Sequence, residues 1–216
     1  MSKTTRRSVL AGVGALAVTA AQAQAQAQAQ APSTGTAAIS PPLPRVMVRT
    51  GQGPIVIELA AHKAPVTCAN FLRYVDAKRY DGGVFYRALK LLPSPLTGLI
   101  QAGVKNDPGK AFPPIAHEST KVTGLSHKDG AVSMARYDPG TATSEFFICI
   151  GDIVSLDADP SQPGDNQGFA VFGRVVEGMD TARKILASPV SATAGDGSMK
   201  GQMLEPEVPM VSARRA

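Results

Sequence analysis

Acidic residues are absent from the start of this 216-residue chain: no Asp or Glu precedes Glu58, whereas Lys3, Arg6 and Arg7 all do. Setting the first 31 residues aside brings the formal charge from +5 to +2, and the remaining Lys and Arg are scattered. Nucleic acid calls for basic residues gathered on one face, so it is not an expected partner. Histidine is equally sparse. His62, His117 and His127 lack the paired spacing that metal ligation uses, and surface or hydrogen-bonding roles are expected for all three. No metal or other cofactor is expected. Cysteine occurs only as Cys68 and Cys149, both among apolar neighbours. Buried free thiols are the expectation, with a disulfide the alternative in an oxidising compartment.

What the N-terminus does have reads as an export signal. Arg6-Arg7 stands before an apolar run from Val9 to Ala21, too short for the roughly 20 residues that span a bilayer. Ala-Gln repeats from Ala21 to Ala31 offer several small-x-small cleavage sites. The arginine pair resembles the twin-arginine signals of bacterial export, with Val9-Leu10 where Phe-Leu is commoner; a Sec signal is the alternative. Residues 1–31 are therefore expected to be removed, leaving a periplasmic protein without a stable membrane anchor. Residues 32–44, rich in Pro, Ser, Thr, Gly and Ala, read as a flexible linker, and the folded domain is expected over 45–213.

Short alternating segments dominate that domain. RVMVRT (45–50) and PIVIELA (54–60) flank Gly51-Gln52-Gly53, a hairpin signal. Further strands are expected at 84–89, 99–104, 130–136, 145–150, 169–176 and 207–213. Helical spacing occurs twice. Over 64–80 the apolar residues are Val66, Phe71, Leu72 and Val75, with Pro65 near the start and Asp81-Gly82-Gly83 beyond the end. The second helix is expected over 178–188. Many short strands and two separated helices do not fit a parallel βαβ sheet; a closed antiparallel barrel with helices over its open ends does. ATSEFFICIGD (142–152) then poses a question, because alternation puts Phe146 and Phe147 on opposite faces. One ring fills the barrel. The other, on the outer wall, needs a helix, a loop or a ligand.

Two local motifs fail on spacing. SHKD (126–129) holds Ser, His and Asp, but a triad is set by geometry and no G-x-S-x-G elbow is present. A hydrolase using His127 is one alternative function. DADPSQPGDNQG (157–168) has Gly in the eighth place instead of the sixth, and Gly168 where a calcium loop ends in Glu. A solvated loop is expected there.

APVTCANF (64–71), GLSHKDGAVSMAR (124–136), ATSEFFICIGD (142–152) and FAVFGRVVEGMD (169–180) match, in order, segments of one family. From Val46 to Val211 the chain resembles the cyclophilins, the peptidyl-prolyl cis-trans isomerases. The resemblance implies a mainly β fold, a closed eight-stranded antiparallel barrel capped by two α-helices. It implies faster rotation of X-Pro bonds in proline-containing polypeptides, by a monomer without cofactors. It also implies a site. The family's catalytic Arg falls on Arg87, its supporting Gln on Gln101, and the Phe flooring the proline pocket on Phe147. Leu99 takes the place of a rim Met, and Leu156 that of a pocket-wall Leu. Ala135 matches the small residue before a backbone-contacting position, which here is Arg136. Glu145 stands where Gln is frequent and Phe169 where a pocket His is, both expected against the bound peptide. Phe147 would face the proline ring while Phe146 packs in the barrel.

The chain also departs from the family. LKLLPSPLTG (89–98) lengthens the stretch between Arg87 and Gln101, and Gly98 replaces an aromatic. Tyr86 stands where His is frequent, and Ser155 where Trp or another aromatic is usual. Arg87, Gln101 and Phe147 are left intact and their rim is altered. The competing expectation is a barrel that holds proline segments without useful turnover.

Overall fold

Val46, Val48 and Thr50 of β1 (Arg45–Thr50) point inward, as period-2 alternation requires, and Ile55, Ile57 and Leu59 of β2 (Gly53–Leu59) join them. The Thr50 hydroxyl closes the turn between them, donating to the Gly53 carbonyl (2.7 Å) and accepting from the Gln52 N–H (3.0 Å). Six strands follow: β3 (Gly83–Lys90), β4 (Gly98–Gly103), β5 (Ala131–Met134), β6 (Phe146–Ile150), β7 (Ala170–Glu177) and β8 (Met203–Arg215). They close in the order β1-β2-β7-β5-β6-β4-β3-β8, all neighbours antiparallel, with β8 paired back to β1. The expected eight-stranded barrel is present, and closure leaves no sheet edge. This computed structural model describes residues 42–94 and 96–216. The export signal expected over 1–31 and the linker up to residue 41 lie outside the described residues, as does Pro95.

Helix α1 (Pro65–Asp76) lies against β7 and β8 and sends Phe71 into the barrel. That ring meets Phe146 edge-on at 5.4 Å and also touches Phe172 (5.1 Å) and Tyr80 (5.2 Å). The apolar spacing read from the sequence puts Val66 and Leu72 on the buried face; in the structure Val66 is exposed and Leu72 half-buried. Cys68, Phe71 and Val75, spaced three and four apart, set the face instead. Ala64 has no side chain to cap this helix. Glu118 reaches in from the β4–β5 connection and accepts from the Val66 N–H (3.1 Å), the Thr67 N–H (2.8 Å) and the Thr67 hydroxyl (2.6 Å). A single turn, α2 (Thr120–Thr123), follows that segment and has no counterpart in the sequence reading. Helix α3 (Met179–Ala187) buries Ala182, Ile185 and Leu186 against β2, β3 and β4.

Cys68 and Cys149 are free and buried, as expected, and burial pushes both thiols up to about 12. Neither is poised as a nucleophile. No helix among the described residues is long and apolar enough to cross a membrane.

Candidate active site

One irregularity in β3 builds the site. Phe85 pairs with Ala102 and Arg87 with Gln101, so Tyr86 is an extra residue and two β3 side chains stand beside one on β4. Phe85 stays in the core, while Tyr86 and Arg87 both bond Gln101. Pairing then carries the row sideways, from Gln101 to Phe147 and from Phe147 to Ser133. Arg87, Gln101 and Phe147 thus line up across three adjacent strands. Phe146 points the other way, so core and outer wall divide the two rings between them.

Arg87 is half-buried and held from two sides. Its Nη1 donates to Gln101 Oε1 (2.9 Å) and its Nε to Gln202 Oε1 (2.8 Å). Gln202, just before β8, is a residue that sequence reasoning missed. Its carbonyl accepts the Ala88 N–H (2.9 Å) and its side-chain amide donates to the Ser198 carbonyl (2.6 Å), so the backbone fixes it. Burial lowers the Arg87 pKa from its usual value, yet a guanidinium stays charged at neutral pH. Its Nη2 has no partner among the described residues.

Phe147 sits in a second apolar cluster, with Leu99, Ala131, Cys149, Ile153 and Val171 buried around it and Ala135, Leu156 and Phe169 half-buried at the margin. Phe169 meets it edge-on at 5.5 Å. The His127 ring lies nearly parallel to it, at 10° and 5.7 Å between centroids. Both nitrogens of His127 are engaged, Nδ1 with Asp157 Oδ1 (2.5 Å) and Nε2 with Ser133 Oγ (3.0 Å). The Ser126 hydroxyl and the His127 N–H also donate to Asp157. Ser133–His127–Asp157 has the connectivity of a hydrolytic triad, though not with the Ser126 and Asp129 of SHKD. Ser133 and His127 are 0% exposed and Phe147 covers the imidazole, so an acyl substrate has no approach. The three residues brace the Phe147 ring.

That brace carries a pH signature. Burial holds the His127 pKa below its usual 6.5, outweighing the hydrogen bond and charge of Asp157. Burial alone would raise Asp157, but bonds from Ser126 and His127 hold it below 3.8. A depressed folded pKa contributes stability above the unfolded value that is lost as pH falls through the folded one. For His127 that loss begins at 6.5, above the 3.8–4.5 at which the lowered carboxylates begin to lose theirs. The Tm should therefore fall by a few degrees between about pH 7 and pH 5. His127→Gln, less stable at neutral pH, should give a flatter profile. Thermal unfolding followed by circular dichroism checks this, and parallel profiles would count against it.

Arg136 does not reach outward. Its side chain is 4% exposed and grips Asp165 with two bonds (2.7 and 2.9 Å), and its Nε donates to the Gly168 carbonyl (3.0 Å). The guanidinium lies 5.1 Å over the Phe169 ring, and it holds Asp165 down to about 2. It therefore ties the 157–168 loop beside Phe169. Glu145 is 5% exposed and accepts from the N–H groups of Val104 (2.9 Å) and Asn106 (3.2 Å) and from the Ser144 hydroxyl (3.0 Å). Its carboxylate occupies space left by Gly103, where a Cβ would collide with all three carboxyl atoms.

Residues 89–98 close the β3–β4 hairpin: Lys90 pairs with Gly98, and the Leu91 N–H donates to the Thr97 carbonyl (2.8 Å). Leu92 and Leu96 are exposed at its tip. A Cβ on Gly98 would collide with the Leu89 carbonyl, so the aromatic usual there has no room. Ser155, in the 3-10 turn Val154–Leu156, is exposed.

Residues 45–214 match the family described as cyclophilin type peptidyl-prolyl cis-trans isomerase/CLD. Similar proteins include a peptidyl-prolyl cis-trans isomerase of Acinetobacter baylyi, 36% identical over 149 residues, 68% of this chain and 73% of the relative. Another, from Streptomyces antibioticus, is 35% identical over 154 residues, 69% of this chain and 87% of the relative. A Cryptosporidium parvum cyclophilin type isomerase, solved in the presence of the dipeptide Ala-Pro, shares the fold with a TM-score of 0.63 at 20% identity, over 80% of this chain and 98% of that one. A family match that spans the whole barrel leaves one conclusion: the chain belongs to the cyclophilin-type peptidyl-prolyl cis-trans isomerases.

Proposed function

We propose that this isomerase accelerates X-Pro rotation in exported polypeptides of the periplasm, with Arg87, Gln101 and Phe147 as its centre. One observation carries the catalytic reading: a guanidinium clamped by two amides stands in the same row as a braced apolar ring. The amide barrier is ~18–20 kcal/mol, and uncatalysed X-Pro exchange takes tens to hundreds of seconds. Millisecond exchange requires four or five decades, roughly 6–7 kcal/mol. As the amide twists, its nitrogen loses conjugation and becomes an acceptor that a fixed N–H can meet. Arg87 Nη2, without a partner among the described residues, is the donor that would meet it. One charge-assisted bond contributes ~1.5–3 kcal/mol, so the remainder falls to a dry pocket that holds the proline ring while the carbonyl side turns. No proton changes hands. Leu99, Ala135, Leu156 and Phe169 wall that pocket, with Arg136 and Glu145 fixing its margins.

The Ala-Pro dipeptide of the Cryptosporidium parvum structure supports a proline-containing substrate. Export rests on Arg6-Arg7 and the apolar run after it. A protease-coupled assay on a proline peptide tests the activity, and binding without acceleration would make the barrel a holding module. Intact mass of the protein recovered from periplasm tests the export. A start between residues 21 and 32 is expected, and full-length chain there would contradict it.

A further inference from the structure

Gln101 can support Arg87 in only one of its two amide orientations. With Oε1 toward Arg87 it accepts from Nη1; flipped, its NH2 would confront a guanidinium that only donates. On its other side, Gln101 Nε2 donates to the Tyr86 hydroxyl (2.7 Å). A hydroxyl both donates and accepts, so by itself it tolerates either orientation. The selection depends on where the Tyr86 proton goes.

Among the described residues that hydroxyl donates to no other group. The Glu145 carboxylate, seated in the space left by Gly103 one residue beyond Ala102, is near enough that its charge, after burial itself, raises the Tyr86 pKa. Glu145 Oε1 is taken by Val104, Asn106 and Ser144, whereas Oε2 is buried and has no partner among the described residues. A proton without an acceptor thus neighbours a buried acceptor without a donor, and buried polar groups seldom stay unpaired.

We propose that Tyr86 and Glu145 are positioning residues: the Tyr86 hydroxyl donates to Glu145 Oε2, is left to accept from Gln101 Nε2, and so locks Gln101 Oε1 onto Arg87. Every link then points the same way, Arg87 to Gln101 to Tyr86 to Glu145, from a cation to an anion. The bulge that places Tyr86 beside Gln101 and the space at Gly103 that admits the carboxylate both serve it. The relay rests on the catalytic reading of Arg87.

Exchange NMR on a proline peptide reads turnover and affinity separately. Tyr86→Phe, which keeps the ring, should lower turnover roughly three- to tenfold with affinity unchanged within about twofold. Glu145→Gln can offer Tyr86 an N–H and free Gln101 to flip, so it should lose a similar factor, and the double variant no more than either single one. The Gln101 side-chain NH2 and Arg87 Nε–H resonances should move in both. Parental turnover in Tyr86→Phe, a matching loss of affinity, or additive losses would each overturn the relay. If Glu145→Gln loses its fold by circular dichroism, Tyr86→Phe decides alone. An inactive Arg87→Ala beside a fully active Tyr86→Phe sinks only the relay; a fully active Arg87→Ala sinks the catalytic reading itself.

Discussion

Arg87→Ala is expected to cut turnover roughly 100-fold while leaving peptide affinity within about threefold. The asymmetry follows from what each part of the site touches. A planar amide offers its nitrogen to no donor, so the Arg87 bond to that atom exists only while the amide is twisted. Contacts to the proline ring come from the Phe147 cluster and survive the truncation. Arg87→Lys should recover only part of the loss. An ammonium can supply charge, but it lacks the planar fork that meets Gln101 and Gln202 and still leaves a third nitrogen free. Exchange NMR separates the two quantities, and equal losses in rate and affinity would make Arg87 a binding contact. The two clamping amides would then be holding a rim residue.

Arg87, Gln101 and Phe147 were legible only because the resemblance named them; the strands that carry them were legible from alternation alone. Alternation also divided Phe146 from Phe147, since a strand in a barrel wall leaves no third place for a ring. What local pattern could not reveal were contacts made by closure. Gln202 reaches Arg87 only because β8 pairs with β3, and Glu118 caps α1 only because the long connection folds back. The bulge at Tyr86 leaves no mark in the sequence, because an extra residue in one strand shows only against its partner. SHKD, set aside as a triad in the sequence, shows why such a motif is judged in space. Its His does sit between a Ser and an Asp, but they are Ser133 and Asp157, brought in by β5 and by the 3-10 turn beside the loop. The face of α1 was misread for a different reason: Thr67 and Asn70 are buried polar residues that find partners in Glu118 and the Thr143 carbonyl, and hydrophobicity alone does not register them.

Phe147→Ala should weaken peptide binding by roughly 10- to 100-fold and lower turnover as well, the reverse of the split expected for Arg87. The ring exposes only 3% of its surface, resting between His127 and the edge of Phe169. Removing it takes away the floor on which a proline ring would lie and leaves a void that its neighbours cannot all fill. The same void costs about 3 kcal/mol or more of stability, so the variant must be assayed well below its own midpoint. Phe147→Leu separates the two effects. It refills much of the volume, restoring most of the stability, but it has no flat face to set against His127 or the substrate. If affinity returned fully with leucine, the pocket would be selecting for apolar volume alone. If affinity were untouched even with alanine, the proline would lie elsewhere on the wall, and the brace of Ser133, His127 and Asp157 would serve the barrel rather than the substrate.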